Sequence, residues 1–369
     1  MTTASTAETP QIPQLVFFMD DEAYERLGPV WRHLCVGLVD LPISIRLVTA
    51  SEQAGELALG PIEVVHHQRW RWPFRKPRLQ ELLDTLSARP PHLVHALSSG
   101  SYPLAAAVAQ HFDAELILHL TALRDVEAVL DLPDTARLHL IAATGPLKDE
   151  VQRHERISRL PTVLVRPGVR CEGEVSCFVD DDRMPTLLCT SPLERGSGVD
   201  TLIDALGLLG ERYGDTMTFL LGGGSQEPVL RKQVVRSRLL QRVTFARPLG
   251  SRRAVMQGAD IYIIPAPETA LTATSLQAMG SGMAVIAAEG SVGDFHVGGH
   301  TAVVHPPHAP AALAEAIESL LADHQLARRL AQGALAHVKQ YHAMSAMAEQ
   351  TYSLYHELMV KRTTFSLST

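Results

Sequence analysis

The chain has 369 residues, 46% apolar and 20% charged, and its 33 Lys and Arg against 40 Asp and Glu leave a net charge of −7. That length exceeds one ordinary core and fits two domains of roughly 150–200 residues each. The composition is that of a globular chain, and the mildly acidic balance argues against a nucleic-acid binder. The four cysteines, Cys35, Cys171, Cys177 and Cys189, form no CxxC pair and read as reduced thiols.

Residues 1–13 are polar and read as a flexible tail, without the basic start and apolar run of a signal peptide. Short apolar runs then alternate with amphipathic stretches, the pattern of a doubly wound α/β domain. Strands are predicted at 15–18, 43–48, 62–65, 93–96, 116–119, 138–142 and 162–165, with helical spacing in segments such as 30–38 and 102–110. Between them, Arg69, Arg71, Arg75, Lys76 and Arg78 interleave with Trp70, Trp72 and Phe74. This basic aromatic stretch suits peripheral contact with an anionic membrane, although a solvated loop with its tryptophans turned inward is the simpler reading.

Turn residues and an acidic run at 171–185 interrupt the pattern and mark a linker between a domain at 14–170 and one at 186–340. In the second, strands are predicted at 187–189, 218–221, 243–245, 261–264, 285–287 and 302–304, followed by two helical patterns within 310–359. No stretch approaches the ~18 uninterrupted apolar residues of a spanning helix, so a cytoplasmic protein, at most peripheral to a membrane, is expected.

Arg195, Gly196, Ser197 and Gly198 form a flexible loop running into a helix start, where backbone N–H groups and one cation suit a phosphate. The same residues fit an exposed loop with Arg195 paired to Glu194. Gly222 and Gly223 follow a strand and permit close approach by a nucleotide, or make a plain tight turn. His119 closes a predicted strand, where open α/β sheets place ligand groups, although a lone strand-end histidine also serves structure.

In chain order, Leu93-Val94-His95-Ala96, Leu118-His119, Arg166-Pro167-Gly168-Val169, Ser197-Gly198-Val199-Asp200, Leu221-Gly222-Gly223-Gly224 and the strand–turn–helix–strand frame at 256–288 resemble the motifs of the retaining GT-B glycosyltransferases of family 4, the glycosyl transferases group 1. The resemblance implies two Rossmann-like doubly wound domains facing across a cleft, with a last segment, 341–369, crossing back to the first domain. It implies transfer of a hexosyl group from a nucleoside diphosphate sugar to a saccharide or lipid-linked acceptor, with no metal or other cofactor.

By the same resemblance His119 and Glu268 are the catalytic candidates, and Arg195, Gly196, Ser197, Gly198, Gly222, Gly223, Thr269 and Gln277 the donor-binding ones. The chain departs from the family at several of these places. Pro192 and Ser197 stand where the family carries Arg and Lys, and Thr269 and Gln277 where it carries two glutamates, with Glu268 one place out of register. Asp20, Asp21 and Glu22 replace a Gly-Gly pair, and Asp294 falls where a Glu is frequent, or simply caps a turn. The loss of charge supports an alternative, a catalytically inactive protein partner of an active transferase. A different Rossmann enzyme is a third reading, although no GxGxxG follows the first strand.

Overall fold

The computed structural model describes residues 12–57, 60–67, 75–135, 137–171, 173–180, 182–247, 256 and 258–366. It divides into two compact units: the chain up to Gly168 together with the residues from Met344 onward, and Val169–Ala343.

The first unit holds a seven-stranded parallel sheet. Its elements are β1 (Gln14–Met19), α1 (Asp21–Val39), β2 (Ser44–Thr49), α2 (Glu52–Gly55), β3 (Glu63–His66), α3 (Arg75–Ser87), β4 (Leu93–Ala96), α4 (Tyr102–Phe112), β5 (Glu115–Leu120), α5 (Leu123–Leu130), β6 (Leu138–Ala142), α6 (Gly145–Arg153) and β7 (Thr162–Leu164). The strand order β3-β2-β1-β4-β5-β6-β7 reverses between β1 and β4. Central strands β4 and β5 are buried throughout, whereas edge strand β3 is partly exposed, as expected when helices cover both faces of a parallel sheet.

After β1, Asp20 caps α1 by accepting from the Ala23 N–H at 2.8 Å. Pro29 inside α1 cannot donate to the helix ladder, and the dihedrals leave the helical range at Leu27. The segment after Ala343 belongs to this unit, and a Cβ added at Gly37 of α1 would lie 2.5 Å from the Cβ of Ala348, a close approach of backbone and side chain that only glycine allows.

The second unit holds a six-stranded parallel sheet in the order β10-β9-β8-β11-β12-β13, which reverses between β8 and β11. Its elements are β8 (Thr186–Cys189), α7 (Val199–Leu208), β9 (Met217–Leu221), α8 (Glu227–Arg236), β10 (Val243–Ala246), β11 (Ile261–Ile264), α9 (Ala273–Gly280), β12 (Ala284–Ala288), β13 (Val303–His305), α10 (Pro310–Ala322) and α11 (His324–Tyr341). The last helix, α12 (Met344–Ser366), returns the chain to the first unit, so three helices stand where the sequence pattern suggested two.

Residues 173–180 are built into the second unit. Cys177 and Phe178 are buried in its core, the Phe178 N–H donates to Asp260 Oδ1 at 2.8 Å, and the Ser176 hydroxyl donates to the Ser281 carbonyl at 2.8 Å. All four cysteines are free thiols; burial pushes Cys35 up to about 12 and Cys177 up to about 11. Gln68 through Phe74 of the basic aromatic stretch lie outside the described residues. Among the described residues no helix is long and apolar enough to cross a membrane.

Candidate functional site

Open α/β sheets bind ligands outside the carboxyl ends of their strands, at the point where strand order reverses. In the second unit that point lies between β8 and β11, and the loops that follow them meet there. Gly198, at the N-cap of α7, has φ +75°, and a Cβ on it would lie 2.7 Å from the Pro265 carbonyl oxygen. No side chain fits against that backbone, so glycine brings the start of α7 onto the β11 loop. A Gly198→Ala variant is expected to lose about 2–3 kcal/mol, from left-handed strain plus overpacking. An unchanged urea midpoint would contradict this contact.

A third loop, after β9, is fastened to the first. Leu193 N–H donates to the Gly223 carbonyl at 3.1 Å, Gln226 N–H to the Leu193 carbonyl at 2.8 Å, and Ser225 N–H to Glu194 Oε1 at 2.6 Å. Ser225 also donates its hydroxyl to Glu194 Oε2, and these bonds hold the Glu194 carboxyl below its usual range. Glu194 is therefore engaged with Ser225 rather than with Arg195. Arg195 is exposed and, among the described residues, makes no ion pair. Gly196, with φ +80°, has open space on its Cβ side, and Gly222 donates its N–H to the Ala246 carbonyl at 3.1 Å. Arg195, Gly196, Ser197, Gly198, Gly222 and Gly223 are thus gathered on adjoining loops at one edge of one sheet.

Beneath the β11 loop lies a polar cluster. The Thr272 hydroxyl donates to Glu268 Oε1 at 3.3 Å and the Ser275 hydroxyl to Oε2 at 3.2 Å, while the Glu268 N–H donates to Ser291 Oγ at 3.0 Å. Tyr262 of β11 and Thr190 after β8 share a hydrogen bond of 2.6 Å across the reversal point. Burial pushes the half-buried Glu268 carboxyl up to about 7, against the two hydroxyls that favour its anion. Burial likewise raises Tyr262, with the Glu268 charge adding to it, so its hydroxyl stays neutral.

Thr269 is exposed and Gln277 is half-buried on α9; no hydrogen bond joins either side chain to this cluster. Thr190, Tyr262 and Ser275 were not singled out from the sequence. None of the three carried a local signal there, because Glu268 and Thr272 precede α9 and meet Ser275 only through the path of the β11 loop.

His119 lies in the first unit, on β5, with only 2% of its surface exposed. Its ring meets Trp31 edge-on at 4.9 Å, and its Nδ1 is 3.3 Å from Nε2 of His95. The end of β5 is pinned by buried Asp125, which accepts from the N–H groups of Thr121 at 2.9 Å and Ala122 at 3.0 Å. Burial lowers His119 to about 3, so the ring is neutral at physiological pH. Among the described residues no group of three or more His, Cys, Asp or Glu is placed to hold a metal ion.

Two parallel sheets of Rossmann-like α/β units, each reversing its strand order at the middle, define the GT-B class of glycosyltransferases. Residues 184–323, within the second unit, match the family described as glycosyl transferases group 1. It is 26% identical over 387 aligned positions to a D-inositol 3-phosphate glycosyltransferase of Jonesia denitrificans, covering 92% of this chain and 82% of the relative. A glycosyltransferase from Rickettsia africae superposes with a TM-score of 0.78 at 15% identity, over 94% of this chain and 98% of that one. The HepE protein of Anabaena, solved in complex with UDP and glucose, superposes at 0.76 and 16% identity, over 94% of this chain and 100% of that one. These two structures bear on the fold.

Proposed function

We propose that this chain transfers a hexosyl group, with retention, from a nucleoside diphosphate sugar to a saccharide or lipid-linked acceptor. The observation that carries the reading is the set of glycine-bearing loops converging where the second sheet reverses its strand order, with the N-terminus of α7 opening among them. Aligned N–H groups at such a helix start favour an anion. Arg195 is the nearby exposed cation on these loops, and it supplies charge that Pro192 and Ser197 cannot. Supporting the donor class, the structurally similar HepE protein is described in complex with UDP and glucose.

In this reading the diphosphate leaves from the α7 loop, Gln277 holds ribose hydroxyls as a neutral donor and acceptor, and Glu268, with Thr269 beside it, faces the sugar; His119 of the first unit is proposed to hydrogen-bond the donor. Without a metal, stabilisation of the departing diphosphate falls to backbone dipoles and Arg195. The relatives above are described as glycosyltransferases, and nothing among them supports the inactive-partner alternative.

Calorimetry with UDP, GDP and their sugars tests the proposal. One of these nucleotides is expected to bind, and Arg195→Ala to weaken it about tenfold, the low end for a charge-assisted hydrogen bond at an exposed site. Absence of binding by either nucleotide would refute the reading. Unchanged affinity in Arg195→Ala would remove Arg195 from it. Peripheral membrane contact through residues 69–78 belongs to the same proposal for a lipid-linked acceptor, and flotation with anionic vesicles checks it.

A further inference from the structure

The interior of the first unit contains a chain of three hydrogen-bonding side chains that the proposed reaction does not by itself require. Tyr355 on α12 places its hydroxyl 2.6 Å from Nδ1 of His95 on β4, and His95 places Nε2 3.3 Å from Nδ1 of His119 on β5. The two imidazole planes differ by 5° and their centroids stand 5.4 Å apart. That separation is the N···N distance extended by a ring radius at either end, so the rings lie edge to edge in nearly one plane, the arrangement of an N–H···N bond rather than of a face-to-face stack. Tyr355 is 1% exposed, His95 fully buried and His119 2% exposed.

Burial lowers both histidines and raises the tyrosine, so each ring carries one N–H and the phenol keeps its proton. Only two proton arrangements satisfy both contacts. If His95 Nδ1 donates to the phenol oxygen, the phenol proton needs another acceptor, and among the described residues Tyr355 makes no other hydrogen bond. If the phenol donates to His95 Nδ1, then His95 Nε2 carries the hydrogen and donates to His119 Nδ1, and the one proton left over is on His119 Nε2. Leaving the phenol proton buried without a partner costs about 1–3 kcal/mol, whereas the leftover N–H of the second arrangement keeps solvent contact, and this difference selects the second.

We infer that Tyr355 acts through His95 as a positioning residue, fixing His119 in the tautomer whose Nε2 carries the proton. Among the described residues His119 Nε2 has no hydrogen-bond partner, and it is not sealed from solvent, so it is left to meet a ligand. The inference rests on the proposed function for what that ligand is: a neutral N–H holds a hydroxyl or phosphate oxygen of the donor and cannot act as a general base. His119 is then an orienting group, and its orientation is set by a residue 236 positions later in the chain.

Nitrogen-15 NMR of the full chain labelled at its 17 histidines tests this, with His119→Gln locating the His119 signals. Wild type is expected to show His119 as a single tautomer, protonated at Nε2, and Tyr355→Phe to convert it to a mixture. Wild-type His119 protonated at Nδ1 would overturn the inference, as would a Tyr355→Phe variant that keeps the wild-type pattern. The wild-type measurement needs no variant to fold. Because no nucleotide is present, a chain with the expected tautomer that fails to bind UDP or GDP would sink the proposed function and leave the relay standing.

Discussion

Asp260→Ala is expected to destabilise the second unit by about 3–4 kcal/mol. Asp260 is 2% exposed and precedes β11, at the amino edge of the sheet. Its Oδ1 accepts from the Phe178 N–H at 2.8 Å and its Oδ2 from the Thr186 N–H at 2.9 Å, and Arg183 pairs with the same carboxylate. One side chain therefore ties both ends of the stretch 178–186 to the start of β11. Alanine strands two backbone donors, each charge-assisted bond contributing about 1.5–3 kcal/mol, while Arg183, a third exposed, regains water and softens the loss. Asp260→Asn keeps one acceptor oxygen and should lose about half as much. Urea unfolding measures both, and a loss below about 1 kcal/mol for alanine would show that the segment is held by Phe178 packing instead. Because Asp260 sits at the opposite edge from the glycine-bearing loops, nucleotide affinity of the folded protein should not change.

That contact also shows where sequence reading stops. Residues 171–185 look like a linker because acidic and turn residues surround the apolar ones, yet Cys177 and Phe178 are buried, and the reason lies 82 residues further on, at Asp260. The strands, by contrast, were legible throughout. A parallel strand covered on both faces is an uninterrupted apolar run, as in Ile261–Ile264, and its position follows from local composition alone.

The candidate site divides along the same line. Gly198 was legible because a glycine before an amphipathic helix has a local meaning. The bond between Tyr262 and Thr190 was not, because β8 and β11 become neighbours only when the sheet reverses its order. His119 was legible as a strand end, whereas Trp31, His95 and Tyr355, which decide its protonation and tautomer, come from three distant segments.

The second large effect concerns Glu268 and pH. In the folded chain its carboxyl titrates at about 7, against an ordinary value of 4.5, because burial penalises the anion more than Thr272 and Ser275 reward it. Between those values the folded protein keeps a proton that the unfolded chain releases, so stability falls as pH rises through this window and levels above about 7. At 1.36 kcal/mol per unit the whole effect is about 2–3 kcal/mol, allowing for partial exposure. Glu268→Gln has nothing to titrate. Its stability should stay level across the window, near wild type at the acid end and about 2–3 kcal/mol above it at pH ~8. Parallel stability curves for the two proteins would show that Glu268 is solvated and ordinary. If Glu268 also faces the sugar, as proposed, the wild-type pH profile of kcat/KM bends near 7 and the glutamine variant loses that bend. A bend that persists in the variant assigns the titration to another group and leaves Glu268 with a structural part only.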